Sequence, residues 1–153
     1  MNGWFFVSST SWSDFDNDIP QHVMNAYMVV VEEALIAIPV LDHIAHVFVC
    51  GGVGSIAAAI FQGFYTRLDT PPSEMPRFIV VEPSEADCLL QSAKAGEVRK
   101  SEGSLRTFMA GLACRAPSPA AWKVLHWLAS DFVAAPDTVA VDAVFAAQRP
   151  FLV

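Results

Sequence analysis

A glycine cluster stands between a short apolar run and a stretch of small residues in the first half of the chain. The cluster is Gly51-Gly52-Val53-Gly54-Ser55, the run before it is His46–Cys50, and the small residues after it are Ile56–Ala59. This order is typical of a strand, a tight loop and the first turn of a helix. Such a loop presents several unpaired backbone N–H groups and the positive end of a helix dipole to one anion, usually a phosphate. The alternative interpretation is a tight turn without a ligand.

The same residues also fit a dinucleotide-binding pattern. Gly52–Ala57 reads G-x-G-x-x-A, and Glu82 ends the next predicted strand, where an acidic side chain could bind a ribose. The pattern is short, and glycines often occur at strand–helix turns only because the chain must turn tightly. A small nucleotide-binding domain that uses Glu82 therefore stays open as an alternative function.

Two further groups of polar residues are candidates for chemistry. Ser8–Ser11 follows a predicted strand end, where ligands bind in open α/β sheets, although a plain polar turn explains it equally well. His43 and His46, together with Asp42, could suggest a metal site. No third ligand with suitable spacing accompanies them, so the sequence favours a structural role for both histidines and predicts no metal.

Composition limits the class of protein. The chain has 153 residues, of which 54% are hydrophobic and 16% charged, and its formal net charge is -7. An acidic chain with scattered basic residues argues against nucleic acid as a partner. The N-terminus lacks the basic region of a signal peptide, and no apolar stretch is long enough to cross a membrane. Three widely spaced cysteines (Cys50, Cys88 and Cys114) indicate buried thiols in a reducing compartment, and hence the cytoplasm.

The hydrophobic periodicity predicts strands that alternate with helices. The predicted strands are Trp4–Ser8, Val47–Val49, Arg77–Val81 and Phe132–Ala135. The predicted helices run from Ile19-Pro20 to Pro39, over Gly54–Leu68 and Glu85–Ala95, from Ser118-Pro119 past Leu128, and from Asp137 towards Ala147. This alternation predicts an α/β fold with an open parallel sheet and helices on both faces. Because neither a repeat nor a linker interrupts it, residues 1–153 are predicted to form a single domain.

Several segments, taken in order, resemble one enzyme family. The specific ones are Glu82-Pro83 followed by Ala86-Asp87-Cys88, and Met109-Ala110-Gly111-Leu112-Ala113-Cys114. Weaker ones are Val7-Ser8-Ser9-Thr10-Ser11-Trp12, Ile19-Pro20 and the glycine loop itself. Together they resemble the diaminopropionate ammonia-lyases, which are pyridoxal-phosphate (PLP) enzymes shaped like the tryptophan synthase β subunit. The resemblance covers about residues 2–140 and identifies the chain as a central part of such an enzyme.

The resemblance implies a partial PLP-enzyme fold, a homodimer and an amino acid as substrate. The reaction it implies is α,β-elimination of 2,3-diaminopropionate to pyruvate and ammonia. It also implies that Gly51, Gly52, Val53, Gly54 and Ser55 hold the phosphate of PLP, which agrees with the anion site expected from the loop.

Two departures from the family concern its catalytic residues. The Schiff-base lysine of the family lies upstream of the glycine loop, whereas Lys94, Lys100 and Lys123 all follow the loop. The position of the family's acid holds Ser9, and a serine is no base at neutral pH. We therefore expect this chain alone to bind PLP weakly and non-covalently, without catalysing elimination. The alternatives are a non-catalytic interaction or assembly fragment that pairs with a complementary fragment or with itself, and the dinucleotide-binding domain.

Overall fold

The computed structural model describes residues 7–11, 18–38 and 44–147. Within these ranges, strands and helices alternate along most of the chain. The strands are β1 (His46–Cys50), β2 (Arg77–Pro83) and β3 (Asp131–Ala135). The helices are α1 (Ile19–Tyr27), α2 (Val29–Ala37), α3 (Ser55–Arg67), α4 (Cys88–Ala95), α5 (Pro119–Leu128) and α6 (Asp137–Ala147). The predicted strand Trp4–Ser8 falls mostly outside the described residues, and the two described residues in it, Val7 and Ser8, belong to no strand.

The three described strands form one parallel sheet in the order β1-β2-β3. The register pairs Val49 with Val80 and Val80 with Phe132, so neighbouring strands end close to one another. Because all strands run in the same direction, the segments after their carboxyl ends meet at one edge of the sheet. The predicted open parallel sheet is confirmed, and this edge carries the glycine loop.

The first predicted helix is divided in two. The amide of Met28 donates to the carbonyl of Asn25 at 3.1 Å, and this tight turn separates α1 from α2. Helix periodicity continues across the break because Met28 itself keeps helical backbone angles. The sequence therefore predicted the helical region correctly and missed its interruption, since no proline or glycine marks it.

One hydrophobic cluster joins the sheet to α1, α2, α3, α4 and α5. Phe61 of α3 is fully buried, and its ring stacks on Phe78 of β2 with a centroid distance of 4.9 Å. Leu125 of α5 and Leu89 of α4 complete the core next to the glycine loop. The loop therefore rests on packed side chains, which restrict its conformation.

The second face of the sheet carries exposed apolar side chains. Phe48 is 66% exposed and Val133 is 44% exposed, and these residues alternate with Val49 and Phe132, which pack against the core. Helix α6 has no buried residue. The described residues thus form an open parallel sheet with helices, as predicted, and leave part of its second face accessible to another polypeptide.

The described helices are short compared with a bilayer. Helix α3, for example, has 13 residues, whereas a membrane-spanning helix needs about 20. Within residues 7–11, 18–38 and 44–147, no helix combines the length and apolar character that a bilayer span requires.

Candidate functional site

The glycine loop makes the turn from β1 into α3 with backbone angles that favour glycine. Gly52 has a φ of 62° and Gly54 a φ of 93°, both in the left-handed region. Gly51 is required for a different reason, because a Cβ atom there would lie 2.6 Å from Cγ of Glu82. The backbone angle thus favours glycine at positions 52 and 54, and the Glu82 side chain favours it at position 51. The predicted strand–loop–helix unit is confirmed.

The backbone amides of the loop divide into used and unused donors. Gly51 donates to the carbonyl of Val81 at 2.8 Å, and Gly54 donates to the carbonyl of Gly51 at 3.0 Å. Within the described part of the chain, the amides of Gly52, Val53 and Ser55 have no acceptor. Unpaired amides at the start of a helix form a site for an anion, because they donate and the helix dipole adds positive potential.

These unused donors belong to a loop that borders a cleft of about 190 Å³. Its lining comes from three parts of the chain: the loop and the start of α3, the segment before α1 with the end of α1, and the loop that precedes α5. The lining residues are Ser9, Tyr27, Gly51, Gly52, Val53, Ser55, Ile56, Gly111, Leu112 and Cys114. The structure therefore brings Ser9 together with four of the five predicted phosphate-binding residues. Gly54 instead contacts the core beneath the loop.

The segment that carries Ser9 is held against the loop by serine hydroxyls. The hydroxyl of Ser55 donates to the carbonyl of Ser9 at 2.6 Å. The amide of Ser11 donates to the hydroxyl of Ser118 at 3.0 Å, and the amide of Ala120 donates to the hydroxyl of Ser11 at 2.9 Å. The side chain of Ser55 is thus already engaged, so Ser55 would bind an anion through its backbone amide.

Glu82 is a buried carboxylate beneath the loop, and its side chain is not a ribose ligand. It is 1% exposed, and its two oxygens accept the amides of Leu89 at 3.0 Å and Leu90 at 2.8 Å in the first turn of α4. Burial raises the pKa of Glu82 to about 7, while these two amides partly offset the rise. The alternative in which Glu82 binds a ribose does not fit this geometry, because the first turn of α4 packs over the carboxylate.

Two of the three cysteines depart from the prediction of buried thiols, whereas His46 begins β1. Cys88 is buried as predicted, whereas Cys50 is exposed and Cys114 is only partly buried, at the cleft. His46 is exposed on β1, and His43 and Asp42 lie outside the described residues. Among the residues that the structure describes, no group of three or more His, Cys, Asp or Glu side chains could hold a metal ion.

Sequence reasoning missed several residues of this neighbourhood. Sequence patterns give Tyr27 and Ser118 no signal beyond their positions in a helix and at a helix start, yet Tyr27 lines the cleft and Ser118 anchors the Ser9 segment. The Met109–Cys114 segment, which supplies Gly111, Leu112 and Cys114, carried a signal only through the family resemblance.

The residues present fit a phosphate group, because an unobstructed glycine loop exposes unpaired amides at a helix start. An α/β fold with such a loop at the carboxyl edge of its sheet defines a class of phosphate-binding protein. Over residues 1–149, the sequence matches the family described as "Pyridoxal-phosphate dependent enzyme". The chain belongs to this family, and pyridoxal phosphate is the cofactor of the family.

Within the family, the chain is similar to diaminopropionate ammonia-lyases. It is 32% identical to that of Escherichia coli (strain K12) over 92% of this chain and 34% of the relative. It is 32% identical to that of Salmonella typhimurium over 97% of this chain and 37% of the relative. The crystal structure of the E. coli enzyme with an aminoacrylate-PLP azomethine reaction intermediate superimposes with a TM-score of 0.82 at 30% identity, covering 97% and 37% of the two chains. The chain thus spans about a third of the length of these relatives.

Proposed function

We propose that this chain forms the phosphate-binding part of a PLP-dependent enzyme that eliminates ammonia from 2,3-diaminopropionate and yields pyruvate. The observation that carries the proposal is the set of unpaired amides of Gly52, Val53 and Ser55 beside the cleft. The similarity to diaminopropionate ammonia-lyases supports the choice of reaction. An amino acid is accordingly the proposed substrate.

The chain's own residues would bind and enclose the cofactor. The amides of Gly52, Val53 and Ser55 would donate to the phosphate, and the N-terminus of α3 would add a favourable potential. Tyr27, Ile56 and Leu112 line the cleft and would limit the access of water to it. PLP, when bound, supplies an electron sink for the carbanion of an amino acid.

Among the described residues that line this cleft, none supplies the family's Schiff-base lysine or its acid. All three lysines of the chain lie in the described residues, and none of Lys94, Lys100 and Lys123 lines the cleft. Ser9 lines it, but a serine hydroxyl does not accept a proton at neutral pH without a base beside it. We therefore propose that the isolated chain binds PLP non-covalently and does not catalyse elimination.

We call the backbone amides of Gly52, Val53 and Ser55 the phosphate cradle. Titration of the purified chain with PLP tests this cradle, and pyridoxal, which lacks the phosphate, is the matched ligand. We expect saturable quenching of tryptophan fluorescence by PLP, and binding of pyridoxal that is weaker by about tenfold or more. The expected difference comes from hydrogen bonds between amides and a charged phosphate. Gly52→Ala should weaken PLP binding by about tenfold, because the new methyl group enters the cleft beside Gly111 and Cys114.

Gly96→Ala is the control for this titration. Gly96 has a φ of 72°, close to the 62° of Gly52, but no atom lies within 4 Å of the position that a Cβ would take there. Gly96→Ala therefore introduces a similar backbone strain to Gly52→Ala without placing a methyl group in the cleft. Equal affinity for PLP and pyridoxal would contradict the proposed cradle, and release of pyruvate from 2,3-diaminopropionate by the pure chain would contradict the proposed lack of elimination.

The exposed sheet face favours a second, compatible function as an assembly fragment. Phe48 and Val133 expose apolar surface that a homo-oligomer or a complementary fragment would cover. The free cysteines are compatible with the cytoplasm as the compartment.

Sedimentation velocity over a concentration series tests self-association through this face. We expect the wild-type chain to associate, and Phe48→Asp to weaken association by about tenfold or more because it places a charge in a buried apolar contact. Ile36→Asp is the control, since Ile36 is 86% exposed on α2, a helix that packs against α1 and α3. A wild-type chain that stays monomeric at all concentrations would contradict self-association.

A further inference from the structure

Cys88 links the glycine loop to the buried carboxylate beneath it. Its Sγ atom lies 3.5 Å from the carbonyl oxygen of Gly52 and 3.7 Å from Oε1 of Glu82. Both distances suit a hydrogen bond from a thiol, and the side chain is fully buried. Cys88, the first residue of α4, therefore contacts the carbonyl group of Gly52. The amides on either side of this carbonyl, those of Gly52 and Val53, have no acceptor among the described residues.

The thiol of Cys88 remains a donor under ordinary conditions. Burial strongly raises the pKa of Cys88, and the negative charge of Glu82 raises it further. The group therefore keeps its proton at neutral pH. Two acceptors lie within hydrogen-bond distance of Sγ, the Gly52 carbonyl and the Glu82 carboxylate, so the thiol can donate to the loop.

The orientation of the Gly52 carbonyl determines the orientation of the next amide. In a trans peptide, the C=O of one residue and the N–H of the following residue point in opposite directions. The Gly52 carbonyl points inward to the buried Cys88, so the Val53 N–H points away from the core. Val53 lines the cleft, and its amide has no acceptor in the described part of the chain.

We propose that Cys88 is a positioning residue for the phosphate cradle. Its thiol holds the Gly52 carbonyl inward and thereby directs the Val53 amide into the cleft. Glu82 acts indirectly: its carboxylate accepts the amides of Leu89 and Leu90, which fixes the first turn of α4 and thereby the position of the thiol. The inference rests on the proposed phosphate role of the loop, and it assigns a role to a buried thiol that the proposed function does not otherwise use.

PLP titration of two substitutions at this position separates hydrogen bonding from packing. Cys88→Ala removes the donor, and we expect it to weaken PLP binding by about tenfold while pyridoxal binding stays unchanged. Cys88→Ser keeps a donor at the same place and should restore PLP affinity. Cys50→Ala serves as a matched control because Cys50 is exposed at the end of β1. Thermal unfolding of each variant verifies that it is folded.

Each outcome of these measurements either supports or overturns the positioning role. Unchanged PLP affinity in Cys88→Ala overturns the proposal, and so does an equal loss in Cys88→Ala and Cys88→Ser, because a packing role would affect both. The ¹⁵N–¹H resonance of Val53 supplies a readout that needs no ligand. If the wild-type chain binds no PLP, the proposed function fails, and this resonance still decides the positioning role. A Val53 shift in Cys88→Ala that Cys88→Ser reverses supports it, and an unmoved resonance overturns it.

Discussion

Gly54→Ala should destabilise the chain by about 2–5 kcal/mol and abolish saturable PLP binding. The φ of 93° at this position costs a residue with a side chain about 1–2 kcal/mol. The new Cβ would also lie 2.9 Å from Cδ1 of Leu125 and 3.3 Å from Cβ of Ala121, in a packed core. Such overpacking costs a further 1–3 kcal/mol, approximately. Urea unfolding followed by tryptophan fluorescence measures the loss.

The loss of binding follows from the position of Gly54 in the loop. Its amide closes the turn on the carbonyl of Gly51, and its own carbonyl accepts the first bond of α3 from Ala58. A displacement here moves the neighbouring amides of Val53 and Ser55 away from a common anion. The loss of stability expected for Gly54→Ala is also a large fraction of the free energy of unfolding of a small domain, which is about 5–15 kcal/mol.

Gly96→Ala isolates the packing contribution. It carries a similar backbone cost, because its φ is 72°, but its Cβ would meet open space. We expect a loss of about 1–2 kcal/mol and unchanged PLP affinity. If the two substitutions destabilise the chain equally, the close contact of the loop with α5 is not a constraint in solution.

The second large effect is a pH dependence of stability that originates at Glu82. Its pKa is about 7 in the folded chain and 4.5 ordinarily, so between these values the folded state holds a proton that the unfolded state has released. The stabilisation that Glu82 contributes therefore falls as the pH rises from 4.5 to 7 and does not change further above that range. The difference corresponds to about 3 kcal/mol, and it is fully present as extra stability only at the acidic end.

Urea unfolding at a series of pH values between about 5 and 8 checks this prediction. Glu82→Gln should remove most of the slope, because glutamine does not titrate. Glu85→Gln is the control: Glu85 is an exposed carboxylate whose pKa is lowered, first by the hydroxyl of Ser104, so it titrates below this window. A slope that persists in Glu82→Gln would place the titrating group elsewhere.

The glycine loop illustrates how far local sequence determines a site. Val47–Val49 has the composition of a strand, and the glycines begin two positions later at Gly51, so the turn into α3 is encoded within a few residues. The left-handed angles at Gly52 and Gly54 explain why these positions hold glycine. The parallel sheet was equally predictable, because alternating strands and helices leave few other arrangements.

The role of Glu82 could not be predicted in the same way. A carboxylate at a strand end is compatible with a ribose ligand, an exposed surface or a buried helix start. The choice depends on where α4 packs, and α4 begins at Cys88 rather than at the predicted Glu85. The amides of Leu89 and Leu90 then donate hydrogen bonds to the carboxylate of Glu82.

By itself, the sequence determined the three described strands, most of the described helices and the glycine loop that joins β1 to α3. These features depend on periodicity and on the backbone freedom of single residues, which act over a few positions. Only the tertiary structure decided which groups meet there. Ser9 and Ser55 are 46 positions apart, and Ser11 and Ser118 are 107 apart. Contacts of that range follow from how packed elements exclude water and satisfy buried polar groups, and no local pattern encodes them.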